Sequence, residues 1–404
     1  MNRIAHKYVA FMRQPDVARM LAVALVTRMP IGMVGFSMLM FLRDALGDFA
    51  RAGAAVGINF VALAIAAPVQ GRLIDRHGPR RLLYVTGIVC PLALLGVLWS
   101  AHAKMPFVVI ALFATLAGLF ASPITTLTRT AWRHRFANEE DRRTAFALDA
   151  VTIELNFTLG PAIIAGMLAL AGPRAAFGLA IAVMAAAVAI YLASGVLVHF
   201  RKVEGAERHL LGPLTEIRLW LVFVATFGTT IGFGLLEVGY PAYATLLATP
   251  ALAGVLLAVN SLGSALGGAL YGGMHFRVPV ERQYAAILAL MCVPFFLHAL
   301  FMQPLVFGVV AFLAGALIAP SITAQSVLVS RFAPAKYATE AFTWSSTFIV
   351  SGLGAGMAVG GAIVETRGLP SAFALGGFVV AAMAVLILLA LPPRPVNAEV
   401  PAAD

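Results

Sequence analysis

Residues 71–81 read GRLIDRHGPRR, a short and strongly basic segment that separates two long apolar runs. The runs on either side, near 52–72 and 80–101, each have the length of about 20 residues that a helix needs to cross a bilayer core of roughly 30 Å. The same order of apolar run and basic loop recurs along the chain. This pattern predicts a helical protein that crosses a membrane many times.

The overall composition agrees with this prediction. Of the 404 residues, 61% are hydrophobic and 11% are charged, and the mean hydropathy is +0.93. Soluble domains carry about 25% charged residues, so a water-soluble globular protein is excluded. The apolar runs predict twelve membrane spans. We place them near 17–42, 52–72, 80–101, 105–128, 144–170, 175–199, 219–244, 252–274, 284–302, 305–328, 341–364 and 370–391.

The basic residues indicate the orientation of these spans. With a cytoplasmic N-terminus, 22 of the 28 lysines and arginines lie on the inner side, 5 lie on the outer side and Arg28 lies within a span. Because cytoplasmic loops carry an excess of positive charge, we expect a multi-pass protein of the cytoplasmic (inner) membrane with both termini in the cytoplasm. The same rule accounts for the net charge of +10 without a nucleic-acid partner.

Few residues indicate cofactor or metal chemistry. The two cysteines, Cys90 and Cys292, lie in apolar runs, where they act as small hydrophobic side chains rather than as a disulfide framework. The histidines show no metal-ligand spacing, and the sequence has no nucleotide-binding loop of the Gly-x-x-x-x-Gly-Lys-Ser/Thr kind. We therefore expect no cofactor, no metal and no direct use of ATP. The basic start lacks a small-residue cleavage site, which predicts no removable signal peptide.

The chain contains an internal duplication. At an offset of 201, Asn59 falls on Asn260 within spans two and eight, and at an offset of 196, Gly160 falls on Gly356 within spans five and eleven. Each half has six spans, so the halves keep the same orientation. Two parallel halves with a site between them are typical of transporters. We predict an N-terminal six-helix bundle, a cytoplasmic linker and a C-terminal six-helix bundle with a short tail, at residues 1–200, 201–218 and 219–404.

The segment 71–81 resembles the loop signature of the major facilitator superfamily, which consists of a glycine, a leucine, an aspartate–arginine pair, a second glycine and two basic residues. Together with twelve spans and the duplication, the resemblance covers the whole chain. It implies an all-α integral membrane fold of twelve helices in two pseudo-symmetric bundles. In the family this loop is a latch that stabilises the outward-open state. Carried onto this sequence, the latch consists of Gly71, Asp75, Arg76, Gly78, Arg80 and Arg81.

Physical reasons support these latch positions. Gly71 permits a close approach between helices, and Gly78 permits a tight turn. Asp75 is an anion suited to a helix N-terminus across the interface of the halves. The second copy of the loop has Phe276 where Asp75 would be, so we expect a latch in the first half only.

The pair Gly160-Pro161 in span five partly resembles the glycine- and proline-rich signature of the family's antiporters. A proline removes a backbone hydrogen bond and lets a helix bend, and a glycine lets helices touch, so packing and a kink explain the pair equally well. The motif therefore favours efflux by antiport only slightly over uptake by symport.

Ionisable groups within spans are costly and mark functional sites. Arg28 lies eleven residues past Val17, and Glu154 lies ten residues past Thr144, so both are expected at about 15 Å depth. We predict that these two face the cavity between the halves and influence each other. Two interpretations stay open: a static salt bridge, or a carboxylate that exchanges a proton as its cationic partner moves.

Two further acids need an interpretation. Glu237 lies eighteen residues past Leu219, about 27 Å along its helix, and is either a gate residue near the outer mouth or a carboxylate already in water. Asp149 lies about 140° around the helix from Glu154, so we expect it to pair with a loop arginine at the inner surface instead.

These observations favour a secondary active transporter, not an enzyme. We expect a monomer whose partners are a small-molecule substrate, protons and the lipid bilayer, with efflux slightly favoured. A proton-coupled uptake symporter is the alternative within the same class. An integral-membrane transferase is the alternative from another class, but it would need a reactive cluster near an interface, and the only clustered polar segment, residues 138–143, resembles a helix start.

Overall fold

The computed structural model describes residues 11–136, 139–199, 215–273, 277–333 and 338–392. Within these ranges the chain forms helices and no β-strand. Thirteen α-helices lie in the described ranges. They are α1 (Val17–Leu46), α2 (Phe49–His77), α3 (Pro79–His102), α4 (Phe107–Leu119), α5 (Ile124–Arg135), α6 (Glu139–Ala193), α7 (Ile217–Leu246), α8 (Ala251–Gly273), α9 (Val280–Leu300), α10 (Pro304–Gly315), α11 (Ile318–Phe332), α12 (Ala338–Arg367) and α13 (Leu369–Ala390).

Eleven stretches of the described chain are long and apolar enough to cross a membrane. Two of them combine consecutive helices, α4 with α5 and α10 with α11. A third, Val151–Ala193, is twice the length that one crossing needs, and its backbone leaves the helical conformation at Gly172. Division at Gly172 gives the twelve spans that the sequence predicts.

Single glycines connect three pairs of spans. Gly78 separates α2 from α3, Gly172 divides α6, and Gly368 separates α12 from α13. Their φ angles are 81°, 80° and 82°, in the left-handed region that glycine adopts without a steric penalty. A proline follows each glycine within two residues, where the first turn of a helix tolerates it. The predicted tight turn at Gly78 is therefore confirmed.

The chain divides into two compact units. The first consists of Met1–Ala206 with Tyr240–Ala258, and the second of Glu207–Gly239 with Val259–Asp404. In the first unit, α1 packs along α6, and both α2 and α3 pack on α4. In the second unit, α9 packs along α13 and also contacts α11. Residues 200–214 lie outside the described ranges, so the linker that we predict at 201–218 stays a prediction.

One hydrogen bond recurs in both units. In the first unit, Asn59 Nδ2 donates to the carbonyl oxygen of Ala114 at 2.9 Å. In the second unit, Asn260 Nδ2 donates to the carbonyl oxygen of Ala311 at the same distance. Asn59 and Asn260 are the pair that the sequence repeat aligns. The two halves therefore share side-chain contacts as well as helix order.

The start of α6 differs from the sequence prediction. The helix begins at Glu139, five residues before Thr144, where the apolar pattern begins. Hydropathy excludes the acidic residues 139–141 from a span, yet carboxylates in the first turn favour a helix through its dipole. The depth that we expected for every later residue on α6 is therefore too small, by about one and a half turns.

Candidate functional site: a buried ion pair between α1 and α6

A buried ion pair joins α1 to α6 in the first unit. Arg28 and Asp149 are each 1% exposed, and Arg28 Nη1 donates to Asp149 Oδ1 at 2.7 Å. The guanidinium group also donates to Thr152 Oγ1 at 3.3 Å and to the carbonyl oxygen of Thr125 at 3.4 Å. An ion pair in a low-dielectric interior needs such additional hydrogen bonds to offset the cost of desolvation. This network connects α1, α5 and α6.

Two residues of α5 complete the surroundings of the Asp149 carboxylate. Trp132 Nε1 donates to Oδ1 at 3.2 Å, and Arg129 Nε lies 3.5 Å from Oδ2. The Arg129 side chain is 55% exposed, whereas the Asp149 side chain is 1% exposed. The carboxylate is thus held by one buried cation and one exposed cation.

This arrangement corrects the interpretation of Asp149. The predicted pairing with an inner-surface arginine holds in part, through Arg129, but the closer partner is the buried Arg28. The shifted start of α6 explains the difference. Arg28 lies eleven residues past the start of α1 and Asp149 lies ten residues past the start of α6, so these two are level. The side chain of Glu154, the partner that we predict for Arg28, lies outside the described residues.

Close backbone contact brings the two charged residues together. A Cβ atom built on Gly160 of α6 would lie 2.8 Å from Gly32 Cα of α1, closer than real side chains approach. Gly160 therefore serves helix packing. This agrees with the packing interpretation of the Gly160-Pro161 pair. The backbone of α6 departs from helical geometry at Gly172, and no such departure occurs at Pro161.

Asn156 of α6 brings a side-chain amide into this contact between α1 and α6. It is fully buried, and neither amide atom has a partner among the described residues. The Nε atom of Arg28 is likewise buried without a partner there. Asn156 lies seven residues after Asp149, about two turns further along the same face of α6. The sequence analysis does not identify Asn156 as a buried polar residue of this contact, although a polar side chain within an apolar span can be recognised in the sequence.

The corresponding place in the second unit is uncharged. The repeat offset of 196 aligns Asp149 with Ser345. Ser345 Oγ accepts a hydrogen bond from Gln325 Nε2 at 2.7 Å, and both side chains are buried. The part of α7 that corresponds to Arg28, residues 227–230, reads FGTT. The second unit therefore has neutral polar side chains where the first unit has charged ones.

The second unit has an ion pair elsewhere, at the ends of two helices. Arg331 Nη1, in the last turn of α11, lies 3.2 Å from Glu281 Oε1, in the first turn of α9. Glu281 is 1% exposed, and its Oε2 atom has no partner among the described residues. The sequence analysis misses this pair because both residues resemble ordinary interface charges. Its location at helix ends indicates that it fastens α9 to α11.

Glu237, the third predicted site residue, lies on α7 in the second unit and is half-buried. The structure gives it no hydrogen bond or ion pair within the described ranges. Pro241 follows one turn later inside the same helix. Glu237 is therefore an isolated carboxylate in an apolar span, and its predicted role as a gate residue stays a prediction.

The predicted latch is described only in part. The side chains of Asp75 and Arg76 lie outside the described residues, whereas those of Arg80 and Arg81 are exposed at the start of α3. A Cβ atom built on Gly71 would have no neighbour within 4 Å among the described residues, so the close helix approach that we expected there stays a prediction.

Comparisons with known proteins agree with this architecture. The family model described as Major Facilitator Superfamily matches residues 20–243 and residues 222–404. The fold is similar to the crystal structure of a mutant of the nucleoside transporter NupG, with a TM-score of 0.74 and 12% identity over 93% of this chain and 100% of that chain. No curated protein matches the chain significantly.

At 12% identity the likeness to NupG concerns the fold alone, but the family matches extend over nearly the whole chain. They confirm the predicted twelve-helix fold and the prediction that the protein is not an enzyme. The chain belongs to the Major Facilitator Superfamily of secondary membrane transporters.

Proposed function

We propose that this protein is a proton-coupled transporter of a small molecule, in which Asp149 takes up and releases the proton. The observation that carries this proposal is the contact of one buried carboxylate with two arginines, of which Arg28 is buried and Arg129 is exposed. The established membership of a secondary transporter family supplies the general function.

The chemistry follows from the cost of burying charge. A carboxylate in a low-dielectric interior stays ionised only beside a cation, and departure of that cation favours protonation. Arg129 is exposed at 55%, so its contact with Asp149 competes with water and can be lost at small cost. Asp149 can therefore change its charge without leaving its position.

The same change frees Arg28. Once Asp149 is neutral, the Arg28 guanidinium needs other acceptors, and a substrate with an acceptor or anionic group can supply one. Protonation of Asp149 and binding of such a substrate at Arg28 therefore favour each other, which is the coupling that symport requires. Efflux by antiport, the direction that the sequence slightly favours, is supported by the Gly160-Pro161 pair alone.

Uptake by symport is the alternative, in which substrate and proton bind together. The release of Arg28 by protonation of Asp149 supports it, and the isolated carboxylate of Glu237 offers a second proton site. Glu154 stays a further candidate for the proton site. The cytoplasmic membrane location, the cytoplasmic termini, the monomeric state and the latch at residues 71–81 belong to this proposal as well.

The first experiment identifies a ligand. Purified protein is heated with a compound collection that includes nucleosides, and compounds that raise its unfolding temperature are tested for counterflow in reconstituted vesicles. Counterflow measures exchange of substrate across the membrane without a proton gradient.

The decisive variant is Asp149→Asn, which keeps the shape of the side chain but cannot ionise. We expect counterflow to continue, whereas accumulation driven by a pH gradient falls at least tenfold. Ser345→Ala, at the aligned position of the second unit, is the matched control and should keep both activities. Equal loss of counterflow and of gradient-driven transport in Asp149→Asn would instead identify a static structural ion pair. Unchanged gradient-driven transport would refute a role for Asp149, and Glu154→Gln and Glu237→Gln would then be tested in the same way.

A further inference from the structure

A groove of about 450 Å³ lies on the surface of the first unit, between α3 and the last turns of α6. Tyr84, Gly87 and Ile88 line it on α3, and Ala185, Val188 and Ala189 line it on α6. Apart from the tyrosine hydroxyl, these side chains offer only apolar atoms. The groove is therefore suited to a hydrocarbon chain.

Small residues create the depth of this groove. Ala185, Ala189 and Ala193 lie at four-residue spacing on α6 and are exposed, so their small side chains form one side of the groove. A Cβ atom built on Gly87 would lie 2.6 Å from Val188 Cγ1, so the floor is already closely packed. The groove is consequently a fixed feature of the α3–α6 contact.

The outer face of α3 shows where the membrane lies along the helix. Tyr84 and Trp99 are 58% and 55% exposed and lie fifteen residues apart, which is about 22 Å along a helix. Between them, Ile88 and Leu92 are exposed apolar residues on the same face. Tyrosine and tryptophan collect at the two membrane–water interfaces. Tyr84 lies five residues past the start of α3 at Pro79, so it is suited to the headgroup level at one end of the groove.

Two cations lie just beyond that level. Arg80 and Arg81 precede Tyr84 by about one turn, and both side chains are exposed. The structure gives neither of them an ion pair or hydrogen bond within the described residues. Basic groups beside a cleft between membrane helices are suited to an anionic lipid headgroup.

We propose that this groove is a binding site for an anionic phospholipid, with an acyl chain between α3 and α6 and the headgroup phosphate at Arg80 and Arg81. The charges of the two arginines and the apolar groove match the two parts of such a lipid in their order along α3. This proposal requires only a membrane protein, so it stands or fails independently of the proton coupling proposed for Asp149.

The test is native mass spectrometry of the purified chain with phosphatidylglycerol and phosphatidylcholine of identical acyl chains. We expect a several-fold preference for phosphatidylglycerol. Because each arginine near the surface contributes about fivefold to such binding, the double variant Arg80→Gln/Arg81→Gln should abolish the preference. Ala189→Phe, which fills the groove and leaves both arginines in place, should reduce retention of phosphatidylglycerol by a similar factor.

Matched controls separate this site from general effects. Arg174→Gln removes another exposed arginine of α6, and Leu170→Phe enlarges an exposed side chain of α6 away from the groove; both should bind the lipid as the unmodified protein does. The unfolding temperature without added lipid checks that every variant is folded. Equal retention of the two lipids would overturn the proposal, and so would an Ala189→Phe variant that retains phosphatidylglycerol as the unmodified protein does. The proposal would also fail if inorganic phosphate alone raised the unfolding temperature as much as phosphatidylglycerol does.

Discussion

The two units treat the same position of their shared architecture differently. In the first unit, Asp149 forms a buried ion pair with Arg28, whereas in the second unit the aligned Ser345 accepts a hydrogen bond from Gln325. Both units keep the asparagine-to-carbonyl bond and close glycine contacts between helices. The duplicated framework therefore depends on packing and neutral hydrogen bonds, and the charge is an addition to one copy. This difference between the units is a reason for the functional role that we propose for Asp149.

The largest effect that tests this comparison is expected from removing one member of the ion pair. Asp149→Ala leaves Arg28 buried and uncompensated, which should lower the free energy of unfolding by about 3–5 kcal/mol. The double variant Arg28→Leu/Asp149→Leu should recover most of that loss, because it leaves no unpaired charge. Denaturant titration of the purified protein in detergent measures both. A double variant as unstable as Asp149→Ala would show that the two charges do not compensate each other.

Substitution of a glycine that contacts a neighbouring helix should lower the free energy of unfolding in both units. Gly160→Ala places a methyl group 2.8 Å from Gly32 Cα, and Gly356→Ala places one 2.9 Å from Ile231 Cα. Overpacking of this kind should destabilise each variant by about 1–3 kcal/mol in the same titration. Gly71→Ala is the control, since its methyl group would meet no described atom within 4 Å and alanine favours a helix by about 1 kcal/mol. A tolerated substitution in one unit only would show that the framework is less symmetric than the repeat indicates.

The neutral pair should matter less than the ion pair. Ser345→Ala removes one buried hydrogen bond and should lower the free energy of unfolding by about 1 kcal/mol. Because no charge is left behind, the loss should not depend on pH, and unfolding titrations at several pH values check this. A loss as large as that of Asp149→Ala would remove the distinction between the two units.

The smallest change in stability is expected from the exposed cation. Arg129→Gln should change the free energy of unfolding by less than about 1 kcal/mol, because exposed ion pairs contribute little. If Arg129 assists protonation of Asp149, the same variant should nevertheless shift the pH dependence of gradient-driven transport. Arg174→Gln serves as the control for loss of a surface arginine. An unchanged pH profile would restrict the functional network to Arg28 and Asp149.

The sequence predicts most of the fold because hydropathy, glycine turns and the repeat are local or periodic properties. Gly172, for example, divides spans five and six at the position where both the apolar pattern and its copy at Gly368 require it. Arg28, an arginine within an apolar run, is buried in the structure, whereas its predicted place in the cavity between the halves stays a prediction.

The carboxylate partner of Arg28 could not be found in this way. Whether Asp149 or Glu154 lies at the level of Arg28 depends on where α6 begins, and the acidic first turn at Glu139 hides that start from a hydropathy analysis. The sequence does not reveal Arg129 and Trp132 as partners of Asp149 for another reason. Their approach to Asp149 depends on how α5 packs against α6, a three-dimensional contact that no local pattern encodes.

The single-glycine connections at Gly78, Gly172 and Gly368 have a practical consequence for anyone who wishes to label this protein. A turn made by a single residue leaves no room to insert an epitope, a protease site or a fluorophore between the joined helices. Reporter insertions belong instead at the longer junction between α7 and α8, where four residues, 247–250, join the helices and leave more room for added residues.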